Sequence, residues 1–215
     1  MGRVIRWTLA GVLAIIVGVG PVVYFRMVYD HAKRLREVDP GRLYRSGQMT
    51  AEGFADAVHR FSIRTVINVQ DEFPDPDLDA SFWSSRKVKE SALCRDLGVR
   101  YIHLAPDLIS RRLVPQCRPR VIEQFLAIMD DPESYPVLIH CHAGLHRTGV
   151  LTAVYRMEYQ NWTAEEAWLD MRANGFGPWV GTCANDYVKQ YVTTYRRGQR
   201  AAAATCPPVV PELHP

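Results

Sequence analysis

YPVLIHCHAGLHRTGVLTAVY, residues 135–155, decides how the rest of the chain is read. Pro136 to Ile139 is a short apolar run, partly β-branched and opened by proline, the pattern of a buried strand. From Thr148 the pattern is helical, with Val150, Leu151, Val154 and Tyr155 on one face. Cys141 to Arg147 connects the two with the spacing Cys-x5-Arg. A strand feeding a tight loop and then a helix aims several backbone N–H groups at one point. The positive end of the helix dipole adds to them, which makes the loop an anion site. Gly144, without a Cβ, lets the backbone curl closely around that anion.

A cysteine in such a nest titrates low. Thiols at helix N-termini or beside cations fall from ~8.5 into roughly the 3.5–7.5 range, so Cys141 is expected as a thiolate and a nucleophile. Arg147 supplies a planar, permanently charged fork that matches two oxygens of a phosphate. The loop positions His142, Ala143, Gly144, Leu145 and His146 support the same anion, and the two histidines could add positive charge. His140 precedes the thiol and is expected to orient the loop by hydrogen bonding. Thr148 is expected to donate its hydroxyl to the sulfur, which would help it leave in a second step.

HCHAGLHRTG resembles the signature of cysteine-dependent protein tyrosine and dual-specificity phosphatases, His-Cys-x-x-Gly-x-x-Arg-Ser/Thr-Gly. Its fixed positions match at His140, Cys141, Gly144, Arg147, Thr148 and Gly149. Cys-x5-Arg alone also occurs in rhodanese-like proteins and arsenate reductases. The resemblance covers roughly residues 42–197 and is to the atypical dual-specificity type. It implies hydrolysis of phosphomonoesters, phosphotyrosine and also phosphoserine or phosphothreonine, through a phosphocysteine intermediate. Phosphoinositides or inositol phosphates are the alternative substrates, and a phosphate-binding module without turnover is a third reading. The ending Gly-x-His-Arg-Thr-Gly also resembles the phosphatases of inositol pyrophosphates. Those carry Lys where this chain has Leu145, which argues against a highly phosphorylated inositol.

Expelling an alkoxide needs a proton from a general acid on another loop. The resemblance implies an aspartate upstream of the signature. Leu104-Ala-Pro-Asp107 is similar to the family's Trp-Pro-Asp loop with the Trp replaced, so Asp107 is the expected acid. Asp71, Asp75 and Asp77 are its rivals. Arg111 and Arg112 follow Asp107 and could meet a second phosphate or an acidic peptide.

The totals fit one globular domain with an appendage: 215 residues, 47% hydrophobic and 23% charged. A net charge of +3 implies no nucleic-acid partner. The five cysteines form neither a disulfide framework nor a zinc spacing. A reducing compartment keeps Cys141 free, although Cys94, Cys117 or Cys183 could pair with it protectively. The implied mechanism needs no metal and no cofactor.

Trp7 to Phe25 is uncharged, long enough to nearly span the ~30 Å hydrocarbon core, and flanked by Arg3, Arg6, Arg26, Lys33, Arg34 and Arg36. Trp7, Tyr24 and Phe25 sit where interfacial aromatics would. It is expected as a single-pass anchor over residues 1–28, with a cleaved signal peptide as the alternative. The larger number of basic residues after the span places the catalytic domain in the cytoplasm. Residues 29–41 read as a juxtamembrane linker, 42–198 as the phosphatase domain and 199–215 as a disordered tail.

Within the domain, helices are expected over Thr50 to Phe61, Ser81 to Leu97, Pro119 to Met129, Ala164 to Ala173 and Asn185 to Arg197. Thr50 is the N-cap of the first of these, in which Gly53 is a blemish. Thr163 and Glu166 form a capping box. Strands are expected at Thr65 to Val69 and Val99 to Leu104, and Asp71 to Asp79 reads as a loop. Alternating strands and helices imply an α/β fold: a mostly parallel central sheet flanked by helices.

Overall fold

The computed structural model describes residues 2–70, 72–104, 120–177, 192–193 and 195–198. Their centre is β7 (Val137–His140), buried at every position. It lies between β2 (Leu43–Ser46) and β3 (Thr65–Asn68), parallel to both. β1 (Arg36–Asp39) extends the sheet antiparallel to β2, and β6 (Arg100–His103) extends it parallel to β3. The order is thus β1-β2-β7-β3-β6, the mostly parallel sheet expected.

Alternation along the strands divides the core into two layers. Val137, Ile139 and Ile67 point to one face, where α4 (Arg120–Asp130), α5 (His146–Tyr159) and α6 (Ala164–Ala173) pack. Leu138 and Val66 point to the other, beneath α2 (Ala51–Phe61) and α3 (Glu90–Asp96). Thr50 caps α2 by accepting from Gly53 N, and Thr163 and Glu166 form the capping box of α6. α5 is buried on nearly all sides from Thr148 to Glu158, so it carries no clean apolar stripe.

Three elements differ from the sequence expectation. Residues 77–89 are an antiparallel hairpin, β4 (Asp77–Ser81) with β5 (Ser84–Lys89), rather than a loop and the start of a helix. Leu78 and Ala80 are buried while Asp77 and Asp79 are exposed, a period-2 pattern. Asp77 opposes Lys89 at 3.1 Å and Asp79 opposes Lys87 at 2.6 Å. These exposed cross-strand pairs contribute only about 0.2–1 kcal/mol each, but they set the register. The second difference is that α5 begins at His146, so the loop is two residues shorter than its Cys-x5-Arg spacing suggests.

The third concerns the N-terminus. α1 (Gly2–Ala32) runs past the apolar stretch, and the segment read as a linker holds its last turn and β1. α1 does not swing free. Thr50 N donates to Asp30 O at 3.2 Å and Gly47 N to Lys33 O at 2.7 Å. A Cβ on Gly53 would sit 1.7 Å from His31 O, so Gly53 is where α2 presses against the end of α1. The helix expected over Asn185 to Arg197 falls largely outside the described residues, and the tail lies wholly outside them.

Gly53→Ala should therefore pry α1 from α2. Hydrogen exchange at the Gly47 and Thr50 amides should rise while that of the β7 amides stays slow. Unchanged protection at both amides would show that the contact gives way without loss.

Candidate active site

His140 pairs with Ser46 on one side and Asn68 on the other, so Cys141 leaves the sheet at its centre, beyond the carboxyl ends of the parallel strands. The loop that follows is gripped from outside by residues 34–48. His142 O accepts from Gln48 N at 3.1 Å, Ala143 O from Arg34 Nη1 at 3.0 Å, and Gly144 O from Arg45 Nη2 at 2.8 Å. In a trans peptide the N–H points opposite to the C=O. Three carbonyls held outward turn the amides of Ala143, Gly144 and Leu145 inward. The Gly144 amide donates to Cys141 Sγ at 3.2 Å.

Gly144 has φ +71°, and a Cβ there would lie 2.6 Å from Gly47 N and 2.7 Å from Ser46 C. Its bare Cα thus lets the end of β2 approach and grip the loop. Arg45 is buried; burial first, opposed by Asp170 and Cys141, lowers its pKa to about 10, so it stays a cation at neutral pH.

His140, the last residue of β7, donates from Nε2 to Glu90 Oε1 at 2.6 Å. Both side chains are almost wholly buried, at 3% and 0% exposure. Removing one partner of such a buried pair costs about 3–5 kcal/mol, so the contact ties the end of β7 to α3.

Arg147 projects from the first turn of α5 into a cavity of about 380 Å³ lined by Glu72, Phe73, Cys141, His142, Ala143, His146 and Arg147. Its two terminal nitrogens donate to the two carboxylate oxygens of Glu72, each at 2.8 Å. This hydrogen bond, reinforced by the charge, lowers the Glu72 pKa to about 2. A guanidinium has five N–H donors, and Glu72 takes one from each terminal nitrogen, which holds the plane of the fork.

The other predicted residues separate clearly. His142 lines the cavity, but burial and then Lys33 lower its pKa, so it is uncharged at neutral pH and adds no positive charge. His146 turns its ring edge toward Phe176, with centroids 5.3 Å apart. Leu145 is buried and does not line the cavity. Thr148 is buried, and its hydroxyl makes no hydrogen bond among the described residues, so the expected bond to Sγ is not made. Asp107, Arg111, Arg112 and Asp71 lie outside the described residues. Of the rival acids, Asp75 accepts from Ser91 N and Oγ at 2.9 Å each, and Asp77 pairs with Lys89. Cys94 is buried in the opposite core layer from Cys141, its thiol pushed up to about 12 by burial and then Glu90. Cys117 and Cys183 lie outside the described residues.

Glu72 and Glu90 were not picked out from the sequence, and Arg34 and Arg45 were not recognised there as residues of the site. The partners of the two glutamates are 75 and 50 residues away, and no local pattern marks them.

The family model of the tyrosine phosphatases matches residues 32–201, and the chain belongs to that family. OCA2 of Saccharomyces cerevisiae, a tyrosine-protein phosphatase-like protein, is 30% identical over 121 residues, 56% of this chain. The match spans 54% of OCA2, so the chain covers about half the length of that relative. Among solved structures, TpbA of P. aeruginosa is similar with a TM-score of 0.57 and 24% identity, over 78% of this chain and 88% of TpbA. The catalytic core of SIW14 from S. cerevisiae gives a TM-score of 0.55 and 21% identity, over 76% and 86%. At these identities the likeness is one of fold.

The depressed pKa of Glu72 fixes the pH behaviour of the Arg147 pair. Its contribution is complete above about pH 4.5, the ordinary carboxylate value, and is lost only as pH falls through about 2. The fork is therefore held throughout the neutral range. Glu72→Gln should lower kcat/KM by about 10–100-fold, the cost of a misplaced clamp, without moving either limb of the pH–rate profile above pH ~5. A rise in kcat/KM would mean that the carboxylate only competes with phosphate.

Proposed function

We propose that the protein is a cysteine-dependent phosphatase, anchored by α1, that hydrolyses phosphomonoesters through a phosphocysteine. The observation that carries this reading is the convergence of Cys141 Sγ, the inward loop amides and the Arg147 fork on one cavity. Cys141 attacks phosphorus in line with the leaving oxygen. The amides from Ala143 to Leu145 and the Arg147 guanidinium bind the equatorial oxygens, where charge gathers in the transition state. Asp107 gives its proton to the leaving oxygen, so the product departs as an alcohol or phenol. It then takes a proton from water, which attacks the phosphocysteine, frees phosphate and restores the thiolate.

The relatives support a phosphoryl-group substrate. TpbA is a dual specificity protein phosphatase, with one crystal structure in complex with pTyr. SIW14 is an inositol diphosphatase. Leu145, buried where the inositol pyrophosphate phosphatases carry Lys, favours a less highly charged monoester.

The anchor rests on Ile5–Ala32, a stretch long and apolar enough to cross a membrane, whose most apolar window is unburied by the rest of the protein. A cytoplasmic catalytic domain is supported by the four basic residues Arg26, Lys33, Arg34 and Arg36 after the apolar span, against Arg3 and Arg6 before it.

Cys141→Ser should abolish turnover and leave binding of inorganic phosphate largely intact, and rapid quench of the wild type should trap a phosphocysteine. A serine variant with near wild-type turnover would remove Cys141 from the mechanism. Asp107→Asn should cost about 10²–10⁴-fold on an alkyl phosphate and clearly less on an activated aryl phosphate, which needs no proton. It should also erase the alkaline limb of the kcat/KM profile. Equal losses on both substrates with the limb intact would move the acid elsewhere.

A further inference from the structure

The tip of the β4–β5 hairpin carries two adjacent aromatics, Phe82 and Trp83, edge to face with centroids 4.7 Å apart. Trp83 is 73% exposed. A tryptophan so exposed on a two-residue turn adds little to the core and weakens solubility. Its position is informative. Phe82 and Trp83 line a mostly apolar cleft of about 300 Å³ together with Met27, Val28, His31 and Ala32 of α1 and Glu52 of α2. Met27 and Val28 follow Phe25, the last residue of the uncharged span, by less than one helical turn. The tip therefore lies beside α1 at the depth where the span meets water. Tryptophan is enriched at that level, its ring apolar and its N–H wet.

The same surface leads to the catalytic cavity. Phe82 is shared by the apolar cleft and a polar cleft of about 340 Å³ that also holds Asp30, Lys33 and Gln48. His142 is shared by that polar cleft and the cavity of Cys141. Span, aromatic tip, polar cleft and nucleophile thus follow one another along one face. No slack separates them. Asp30 O and Lys33 O hold the amides of Thr50 and Gly47, and Arg34 holds the catalytic loop itself at Ala143 O. The nucleophile cannot reach out on a tether to a partner in solution.

We propose that the Phe82–Trp83 tip is a second membrane contact, which with α1 seats the catalytic mouth on the bilayer and selects a phosphomonoester carried on a lipid headgroup. The phosphate enters the cavity of Cys141, and the rest of the headgroup lies in the polar cleft beside Lys33. The acyl chains stay in the bilayer next to α1 and the tip. This proposal rests on the anchoring of α1 proposed above for its membrane contact and on the phosphatase reading for its substrate.

The test uses the full-length protein in phosphatidylcholine vesicles. Brominated lipids should quench a fluorescence component that is absent from Trp83→Phe, and this readout is independent of turnover. Trp83→Glu should lose about tenfold in rate on phosphatidylinositol 4-phosphate in the vesicles, the equivalent of one interfacial anchor, and keep its rate on p-nitrophenyl phosphate. A Trp83 component untouched by brominated lipid overturns the contact. Equal loss on both substrates also overturns it, because the tip would then serve the fold. A wild-type preference for a soluble phosphotyrosine peptide over the vesicle lipid overturns the substrate. If neither lipid nor aryl phosphate is hydrolysed while quenching persists, the phosphatase reading has failed and the substrate proposal fails with it, but the membrane contact stands.

Discussion

The site depends on three carbonyl groups being pulled outward. His142, Ala143 and Gly144 present their oxygens to donors from residues 34–48, and peptide planarity turns the following amides toward the sulfur. Without that grip a short loop rich in small residues would have many conformations of similar energy, and the anion would have to order it at each binding event. The grip is intramolecular and in place before any ligand arrives. Two of its three donors are the amide of Gln48 and the buried guanidinium of Arg45, which sit at the end of β2. β2 in turn pairs with β7, the strand that delivers Cys141. Strand pairing and loop geometry are therefore one construction.

The parts legible in the sequence are those whose causes are local. The strand, loop and helix around Cys141 followed from residues within 21 positions of one another. Thr50, Thr163 and Glu166 announced helix starts because a capping hydrogen bond spans three residues. The hairpin was missed for the opposite reason. Its register is written in Asp77, Asp79, Lys87 and Lys89, charges that look like a solvated loop until the strands are laid side by side. Only Leu78 and Ala80 carry the apolar alternation, too few to outweigh the helix-like run that follows them.

Glu72 and Glu90 were hidden in the same way but matter more. Each is one acidic residue among many in residues 71–96, and what distinguishes them is a partner brought near by the parallel sheet. Glu90 loses all its exposure to meet His140, a cost that water would never repay. Glu72 keeps much of its exposure, and its tie to Arg147 depends on charge and two-point geometry rather than burial. The two glutamates therefore hold neighbouring parts of the loop by different physics. The buried one fixes the peptide entering the loop, and the exposed one holds the cation at its exit.

Gly53 changes how α1 should be understood. In a soluble helix a glycine costs about 1 kcal/mol relative to alanine, so at that position it looked like a defect. The contact it permits joins α2 to the carbonyl of His31 at a distance no side chain could tolerate. α2 packs on the sheet layer that contains Leu138, and Lys33 and Arg34, just past the end of α1, hold Gly47 and the loop. Arg34 ties the chain just past α1 directly to Ala143 of the loop. The apolar helix and the nucleophile are thus mechanically adjacent though 109 residues separate Arg34 from Ala143. Whatever fixes the position of α1 also fixes the direction in which the mouth of the site faces, because the two are joined by backbone hydrogen bonds rather than by a linker.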